Sequence, residues 1–412
     1  MTTTLLTRIS QLVTVDDKRC NPENPLGVLA DAALLIQDGR IDWVGPASQA
    51  PAADHTVDCT AQTILPGLID AHTHPIFAGD RADEFEQRLN GVSYQAIAAQ
   101  GGGILKTVNA TRQATAETLH TLTRQRLLSM RAYGVTTVEA KSGYGLDWAT
   151  EEKCLRVLKQ LRSELADELS VMTTYMGAHD IPSEYRDNPD AYVTAICDEQ
   201  LPAVADARLA DFCDVFCETG YFDVAQSRRI LETARRLGMK LKVHAEEFTT
   251  LGGAALAGEL GAVSADHLLH VDDTGIAAMK AGGTVATLLP GTAFYLNVPY
   301  APVRKILDAG VPVALATDFN PGSCMIANLQ LIMHLACLQM RMTPADIIRA
   351  VTVNAARALG LGDRGNITMG RRADLSVFAT PGYSAIFYEV GVNHCTGVWV
   401  GGTFYANPSV MR

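Results

Sequence analysis

The sequence lacks long apolar runs, an excess of basic residues and any paired pattern of cysteines. No apolar run reaches the roughly 18 residues that a membrane-spanning helix needs. The first ten residues hold one arginine and no long apolar core, so we expect no signal peptide. The formal net charge of −11 argues against a face that binds nucleic acid or anionic lipid. We therefore expect neither a nucleic-acid partner nor membrane association.

The nine cysteines are odd in number and scattered along the chain. Cys213 and Cys217 are the only close pair, and no second pair completes a zinc-ribbon spacing. We expect reduced thiols in the core of a cytoplasmic protein. Hydrophobic residues make up 48% of the chain, which is typical of a globular protein. A length of 412 residues has room for a barrel of about 250 residues and an appended domain.

From residue 63 onward, apolar strands alternate with amphipathic helices. Eight strands follow one another between Ile64 and Asp318. This alternation predicts a (β/α)8 barrel of the TIM type, over residues 63–363, in which chemistry belongs at the carboxyl ends of the strands. A doubly wound open sheet is the alternative, but such sheets rarely need eight strands in one run.

Both chain ends have a β pattern. Residues 33–37 and 40–44 alternate around Asp38-Gly39, a dipeptide that suits the positive φ angles of a type I′ hairpin turn. A strand is also expected at residues 375–378. We predict that residues 1–62 and 364–412 form one small β-sandwich domain.

Several residues are typical of helix starts. Asp223 and Gln226 have capping-box spacing, and Thr343 precedes a proline. Thr150 is expected to cap a helix that carries Glu151 in its first turn.

Five polar residues end predicted strands. His72 and His74 follow the first strand, and because side chains at i and i+2 leave the same face of a strand, they point together. His244, His267 and Asp318 end strands five, six and eight. A lone histidine at such a place is usually structural, but five converging residues favour a metal site. We predict that His72, His74, His244 and Asp318 bind one divalent ion, Zn²⁺ or Fe²⁺.

With these residues the chain resembles the amidohydrolase superfamily over nearly its whole length. That superfamily places His-x-His on strand one, histidines on strands five and six, and aspartate on strand eight. The lysine that bridges two metals at the end of strand four in binuclear members is absent, and Glu218 lies in that neighbourhood, which implies a single metal. The set Arg81, Tyr144, His179 and Asn320 resembles the member that opens a lactam ring in histidine degradation.

The resemblance implies a metal-dependent hydrolase of a small anionic substrate, a lactam ring with a carboxylate tail, and a homodimer. His267 and Asp318 would orient and deprotonate the attacking water. Glu247 would protonate the leaving ring nitrogen, whereas its neighbour Glu246 is expected to be a solvated loop carboxylate. Lys141 is expected to be structural.

Substrate-binding roles follow from the same resemblance. The Arg81 guanidinium offers a two-pronged fork for the tail carboxylate, which a lysine would match less well. Tyr144 and His179 are expected to hydrogen-bond the ring or tail. The remaining residues expected to contact the substrate are Glu247, Asn320, Gly322 and Ser323.

Three alternatives stay open or are set aside at this point. The run from Gly101 to Thr107 does not meet phosphate-loop spacing, so we expect a flexible loop near the site, whose action as a lid stays open. A mononuclear deaminase of a purine-like or pyrimidine-like ring would keep the metal set and Glu247. A metal-free assembly protein is disfavoured by the intact ligand set.

Overall fold

The computed structural model describes residues 2–92, 96–97 and 102–407. The first five strands are β1 (Thr3–Val13), β2 (Val28–Gln37), β3 (Arg40–Pro46), β4 (His55–Asp58) and β5 (Thr63–Pro66). The predicted hairpin is confirmed, since β2 and β3 pair antiparallel. Its turn residues Asp38 and Gly39 have φ angles of 49° and 74°, as a type I′ turn requires.

Eight parallel strands form the predicted barrel. They are β6 (Leu68–Asp70), β7 (Val135–Lys141), β8 (Ser170–Ala178), β9 (Phe212–Cys217), β10 (Lys240–Ala245), β11 (Ser264–His267), β12 (Val285–Leu288) and β13 (Val313–Leu315). They are hydrogen-bonded in sequence order from β6 to β13. The first and last strands meet beyond their ends, where the Asp318 amide donates to the His72 carbonyl at 3.0 Å and the His74 amide to the Phe319 carbonyl at 2.9 Å.

The predicted first barrel strand is divided in two. Strand β5 belongs to the other sheet, where it pairs with β1 and with the later strand β14 (Leu375–Phe378). The chain then crosses to the barrel at Gly67, where an added Cβ would lie 2.2 Å from the Thr136 hydroxyl oxygen. Glycine at this crossing lets the strand that carries His72 pack directly against β7.

Both chain ends build one sheet, as the sequence predicts. The chain closes with β15 (Cys395–Val400) and β16 (Thr403–Ala406). The strand order is β16-β15-β14-β5-β1-β2-β3, with β4 paired to β1. The hydrogen bonds run through one continuous sheet, where the sequence predicts a sandwich. The division of the chain into domains stays a prediction.

The α-helices cover Ala82–Leu89, Ile104–Gln113, Ala116–Arg131, Trp148–Glu164, Pro189–Ala195, Leu201–Asp206, Val224–Arg236, Gly253–Leu260, Asp273–Gly282, Pro290–Leu296, Val303–Asp308, Leu329–Leu338, Pro344–Ala350, Val353–Ala358 and Ser384–Tyr388. Capping boxes at Asp223 and Thr343 confirm two predicted starts. The prediction that Thr150 caps a helix is wrong, because Asp147 caps that helix by accepting the Thr150 amide hydrogen. Among the described residues, no helix combines the length and apolar content that a membrane crossing requires.

The barrel interior is charged beneath its carboxyl-terminal end. Barrel cores are usually filled by branched apolar side chains. Here the Lys141 ammonium of β7 contacts Asp214 of β9 at 2.8 Å, skipping β8, so the contact runs through the interior. Lys242 and Asp266 approach at 3.4 Å nearby, and all four side chains are fully buried. Buried charges at this depth are costly unless they are paired. These paired charges lie beneath the strand ends at which the sequence predicts the metal ligands.

Candidate metal centre

Four donor atoms converge at the barrel mouth. The Nε2 atom of His74 lies 3.3 Å from the Nε2 atoms of both His72 and His244. An Asp318 carboxylate oxygen lies 3.4 Å from His72 Nε2 and 3.6 Å from His74 Nε2. Ligands about 2.1 Å from a tetrahedral Zn²⁺ are about 3.4 Å apart. Four of the distances among the predicted ligand residues therefore match those of a coordination sphere.

Two aspartates fix which imidazole nitrogen carries the hydrogen. Asp266 lies 2.6 Å from His72 Nδ1, and Asp214 lies 3.0 Å from His244 Nδ1. Since an ionised carboxylate only accepts, both Nδ1 atoms carry hydrogen and both Nε2 atoms present lone pairs. Carboxylates of this kind orient metal-binding histidines in many proteins.

The third imidazole supports the same interpretation. Within the described part of the chain, His74 Nδ1 is buried without a hydrogen-bond partner, and its Nε2 faces the other two nitrogens. Lone pairs at this spacing repel each other unless a cation lies between them. His267 joins His72 and His244 in a second group whose potential ligand atoms lie within 4.8 Å of one another. The residues present thus fit a divalent metal ion.

Burial keeps these imidazoles neutral. It lowers the pKa of His72, His74 and His267 well below the ordinary histidine value, and neighbouring positive groups lower it further. Burial also raises the pKa of the Asp318 carboxyl to about 6, against the hydrogen bond that Thr292 donates to it at 2.5 Å. The site therefore offers neutral imidazole nitrogens from His72 and His74, and near neutral pH Asp318 is a carboxylate.

Metal affinity should depend on pH through Asp318. Below pH 6 its carboxyl holds a proton that must leave when a metal binds, whereas burial lowers the pKa of His72 and His74 well below the ordinary histidine value. The apparent affinity for Zn²⁺ is expected to fall about tenfold per pH unit below that point and to be flat between pH 7 and 8. Chelator competition across this range measures it. A slope that begins above pH 7 would place the proton on another group.

The buried charges beneath the site hold its aspartates. The Lys141 ammonium contacts Glu139 at 2.7 Å and one Asp214 oxygen at 2.8 Å, which leaves the other oxygen for His244. Burial raises the pKa of Asp214, but His244 and Lys141 outweigh it and hold the pKa well below the ordinary value. Lys141 is therefore part of a buried ion-pair network, and it contacts Asp214, which in turn contacts His244.

Replacing Asp214 by asparagine should weaken metal binding. The change keeps the shape of the side chain but removes the charge that fixes His244, so the affinity for Zn²⁺ is expected to fall about 10–100-fold. Chelator competition on the folded variant measures the loss. Asp198→Asn, at an exposed position, is the matched control and should bind like the wild type. If Asp214→Asn binds Zn²⁺ as tightly as Asp198→Asn does, Asp214 does not support metal binding.

Two glutamates follow His244, and they differ in surroundings. Glu247 is buried with an oxygen 3.6 Å from His267 Nε2, and burial, Asp318 and Glu218 raise its pKa well above the ordinary value. These surroundings therefore favour the protonated form of the Glu247 carboxyl. The expectation that Glu246 is solvated is wrong. It is buried and accepts the amide hydrogens of Gly252 and Ala254 at 2.9 and 3.0 Å.

Tyr144 and His179 lie on one side of the histidine group. The His179 ring stacks on His74, with centroids 5.0 Å apart and planes at 22°, and Tyr144 lies 5.2 Å from His179. Burial lowers the pKa of His179 to about 3. Its Nδ1 lies 2.9 Å from the Gly143 carbonyl, so a neutral ring donates there and keeps Nε2 as an acceptor.

Arg81 lies next to the turn that follows Asp318. Its Nε donates to Glu84 at 2.7 Å, and both side chains are almost fully buried. A Cβ added to Gly322 would lie 2.4 Å from the Arg81 Nη1 atom. Glu84 also accepts the Gly103 amide at 2.9 Å. Gly101, the first residue of the predicted glycine-rich loop, lies outside the described residues.

Asn320 organises the turn itself. Its side-chain oxygen accepts the amide hydrogens of Gly322 and Ser323 at 2.8 and 2.7 Å, and its nitrogen donates to the Asp318 carbonyl at 2.8 Å. These hydrogen bonds hold the turn together, and the Arg81 guanidinium packs against the turn at Gly322.

Sequence reasoning missed the buried carboxylates that support the site. Asp214 lies in the otherwise apolar strand β9, and Asp266 directly precedes His267 in β11. A charged residue inside a barrel strand was the available signal. Thr292, the hydrogen-bond donor to Asp318, carried no signal because it lies 26 residues away. A larger group of clamping residues shares this long-range character. It comprises the buried glutamates Glu84, Glu139 and Glu218, each of which accepts a backbone amide hydrogen from a distant residue.

Comparisons with known proteins agree with this geometry. A model of the amidohydrolase family matches residues 63–404. The chain is 45% identical to imidazolonepropionase of Alkaliphilus metalliredigens over 405 residues, covering 96% of each protein. It is 46% identical to imidazolonepropionase of Bacillus mycoides over 410 residues, covering 98% of this chain and 96% of the relative.

Solved structures share the fold at low sequence identity. Atrazine chlorohydrolase from Arthrobacter aurescens, complexed with zinc, superposes with a TM-score of 0.72 at 17% identity, covering 99% of this chain and 97% of that one. An adenosine deaminase from Xanthomonas campestris with bound zinc gives 0.70 at 20% identity, covering 97% and 92%. These two likenesses concern the fold alone.

Proposed function

Because the chain belongs to the amidohydrolase family and its full-length relatives are imidazolonepropionases, we propose that it opens the ring of 4-imidazolone-5-propanoate to give N-formimidoyl-L-glutamate. It is a metal-dependent hydrolase of C–N bonds in cyclic amides, and its reaction belongs to histidine degradation. The observation that supports this most is the spacing of 3.3–3.6 Å among the facing atoms of His72, His74, His244 and Asp318.

The residues around the donor atoms divide the hydrolysis among them. When bound, a divalent ion lowers the pKa of a coordinated water to roughly 7 and so supplies a nucleophile at neutral pH. His267 and Asp318 orient the attacking water and accept its proton. Water oxygen bonds to the lactam carbonyl carbon, and the bond from that carbon to the ring nitrogen breaks.

Glu247 provides the proton that the leaving nitrogen needs. Burial, Asp318 and Glu218 raise the pKa of its carboxyl well above the ordinary glutamate value and so favour the protonated form, and the carboxyl lies beside His267. Donation of this proton as the C–N bond breaks yields a neutral nitrogen in the product. The carboxylate left behind regains its proton from the one that His267 and Asp318 accepted from the water, so both groups return to their starting forms.

Residues on the other sides of the barrel mouth bind the substrate. Arg81 grips the tail carboxylate, since a guanidinium matches a carboxylate with two parallel hydrogen bonds. His179 accepts a ring N–H through Nε2, and Tyr144 lies beside it. Asn320, Gly322 and Ser323 keep the turn against Arg81 so that the guanidinium faces the site.

The test is incubation of metal-loaded protein with 4-imidazolone-5-propanoate. We expect the ultraviolet absorbance of the ring to disappear without release of ammonia, because both nitrogens stay in the product. Release of ammonia from this or a purine-like ring would instead identify a deaminase. Less than about 0.2 metal per chain, with no gain on adding Zn²⁺ or Fe²⁺, would point to a metal-free assembly protein.

The finer properties rest on resemblance and composition. We propose one ion per chain, Zn²⁺ or Fe²⁺, because three imidazoles and one carboxylate suit either. A cytoplasmic homodimer is proposed from the resemblance and from the free cysteines.

A further inference from the structure

Glu218 carries a buried carboxylate with four hydrogen-bond donors and no role in the reaction described above. It follows β9 and is 1% exposed. One oxygen accepts the Phe248 amide at 2.9 Å and the Thr249 amide at 3.2 Å. The other accepts the Thr219 amide at 2.8 Å and the Thr249 hydroxyl. A carboxylate from one strand end is thus committed to the backbone of the loop after the next strand.

That loop carries Glu247. It leaves β10 through Glu246, whose φ of 51° lies in the left-handed region that non-glycine residues rarely adopt. The Glu246 carboxylate accepts amides on the far side of the loop, at Gly252 and Ala254. Glu247 thus lies between Glu246, whose carboxylate bonds the far side of the loop, and Phe248, whose amide bonds Glu218.

We propose that Glu218 is a positioning residue for Glu247: by holding the amides of Phe248 and Thr249, it keeps the Glu247 carboxyl beside His267. The inference rests on the proposed role of Glu247 as proton donor. The Phe248 side chain is 46% exposed, and the hydrogen bonds from the Phe248 and Thr249 amides to Glu218 restrain the loop backbone at this point. Misplacing a reacting group by about 1 Å costs up to about 100-fold in rate.

A double-mutant cycle tests whether Glu218 acts through Glu247. Glu218→Ala is expected to lower kcat about 10–100-fold with KM within about twofold, and Glu218→Gln, which keeps one acceptor oxygen, should lose less. Added to Glu247→Gln, Glu218→Ala should cause no further loss beyond about twofold, because the group it positions is already disabled. Glu199→Gln, at an exposed position, is the control and should match the wild type. Multiplied losses in the double variant would overturn the proposal.

Hydrogen exchange gives a readout that needs no substrate. The Phe248 and Thr249 amides should exchange at least about tenfold faster in Glu218→Ala, with metal content and the exchange of β10 amides unchanged. If exchange at both amides is unchanged, the proposal that Glu218 holds this loop is overturned, even if activity falls. If the wild type itself fails to open the ring, the proposed function and the catalytic consequence fall together, and the exchange rates still decide whether Glu218 holds the loop.

Discussion

The Glu247→Gln variant is expected to lower kcat by about 100–10,000-fold while the protein keeps its full metal content. Glutamine has nearly the same shape but no carboxyl proton to give to the leaving ring nitrogen. The metal content should stay because Glu247 is not one of the four proposed ligand residues, which are joined by distances of 3.3–3.6 Å in four of their pairs. Steady-state kinetics and metal analysis on the same preparation measure both quantities.

Two controls sharpen this prediction. Asp214→Asn is expected to lose metal affinity, so the two variants separate proton transfer from metal binding. The surface change Glu199→Gln should leave kcat unaltered. Turnover by Glu247→Gln within about tenfold of the wild type would remove Glu247 from the mechanism, whatever its metal content.

Replacing Arg81 should raise KM strongly for a substrate with a carboxylate tail. Losing a buried partner of a charged pair costs about 3 kcal/mol, which corresponds to roughly 100-fold. Arg81→Lys should lie between Arg81→Ala and the wild type, because an ammonium offers no planar fork. Since Arg81→Ala also leaves the buried Glu84 carboxylate without its partner, the unfolding transition of each variant must be recorded alongside KM.

Gly322→Ala tests the same contact with Arg81 still present. The added methyl would lie 2.4 Å from Arg81 Nη1, and because this atom ends a flexible side chain, the guanidinium moves at little cost in stability. KM should rise about tenfold with kcat nearly unchanged. Gly362→Ala is the matched control, because an added Cβ there meets nothing within 4 Å. An unaltered KM in Gly322→Ala and in Arg81→Ala would exclude the tail-binding role.

The donor residues were predictable because they depend on short-range rules. His72 and His74 follow from the two-residue period of a strand, and His267 and Asp318 follow from the rule that barrel chemistry lies at the carboxyl ends of strands. The repeated strand-and-helix pattern made the barrel predictable. None of these inferences needs to know which residues touch across the interior.

The supporting residues were not predictable, because their contacts join distant parts of the chain. Asp266 contacts His72 from 194 residues away, and Lys141 reaches Asp214 over 73 residues. The division of the first strand at Gly67 depends on competition between two sheets for one apolar run. The Thr150 prediction failed for a local reason. The helix is capped three residues earlier by Asp147, whose carboxylate accepts the amide hydrogen of Thr150.

The central claim is that one divalent ion lies between His72, His74, His244 and Asp318. Anomalous X-ray scattering from crystals of the zinc-loaded protein, collected at the zinc absorption edge, tests it most directly. We predict a single peak per chain, about 2.0–2.2 Å from the Nε2 atom of each of these histidines and from a carboxylate oxygen of Asp318. A peak held by other residues, or two peaks of equal height within the barrel mouth, would contradict it.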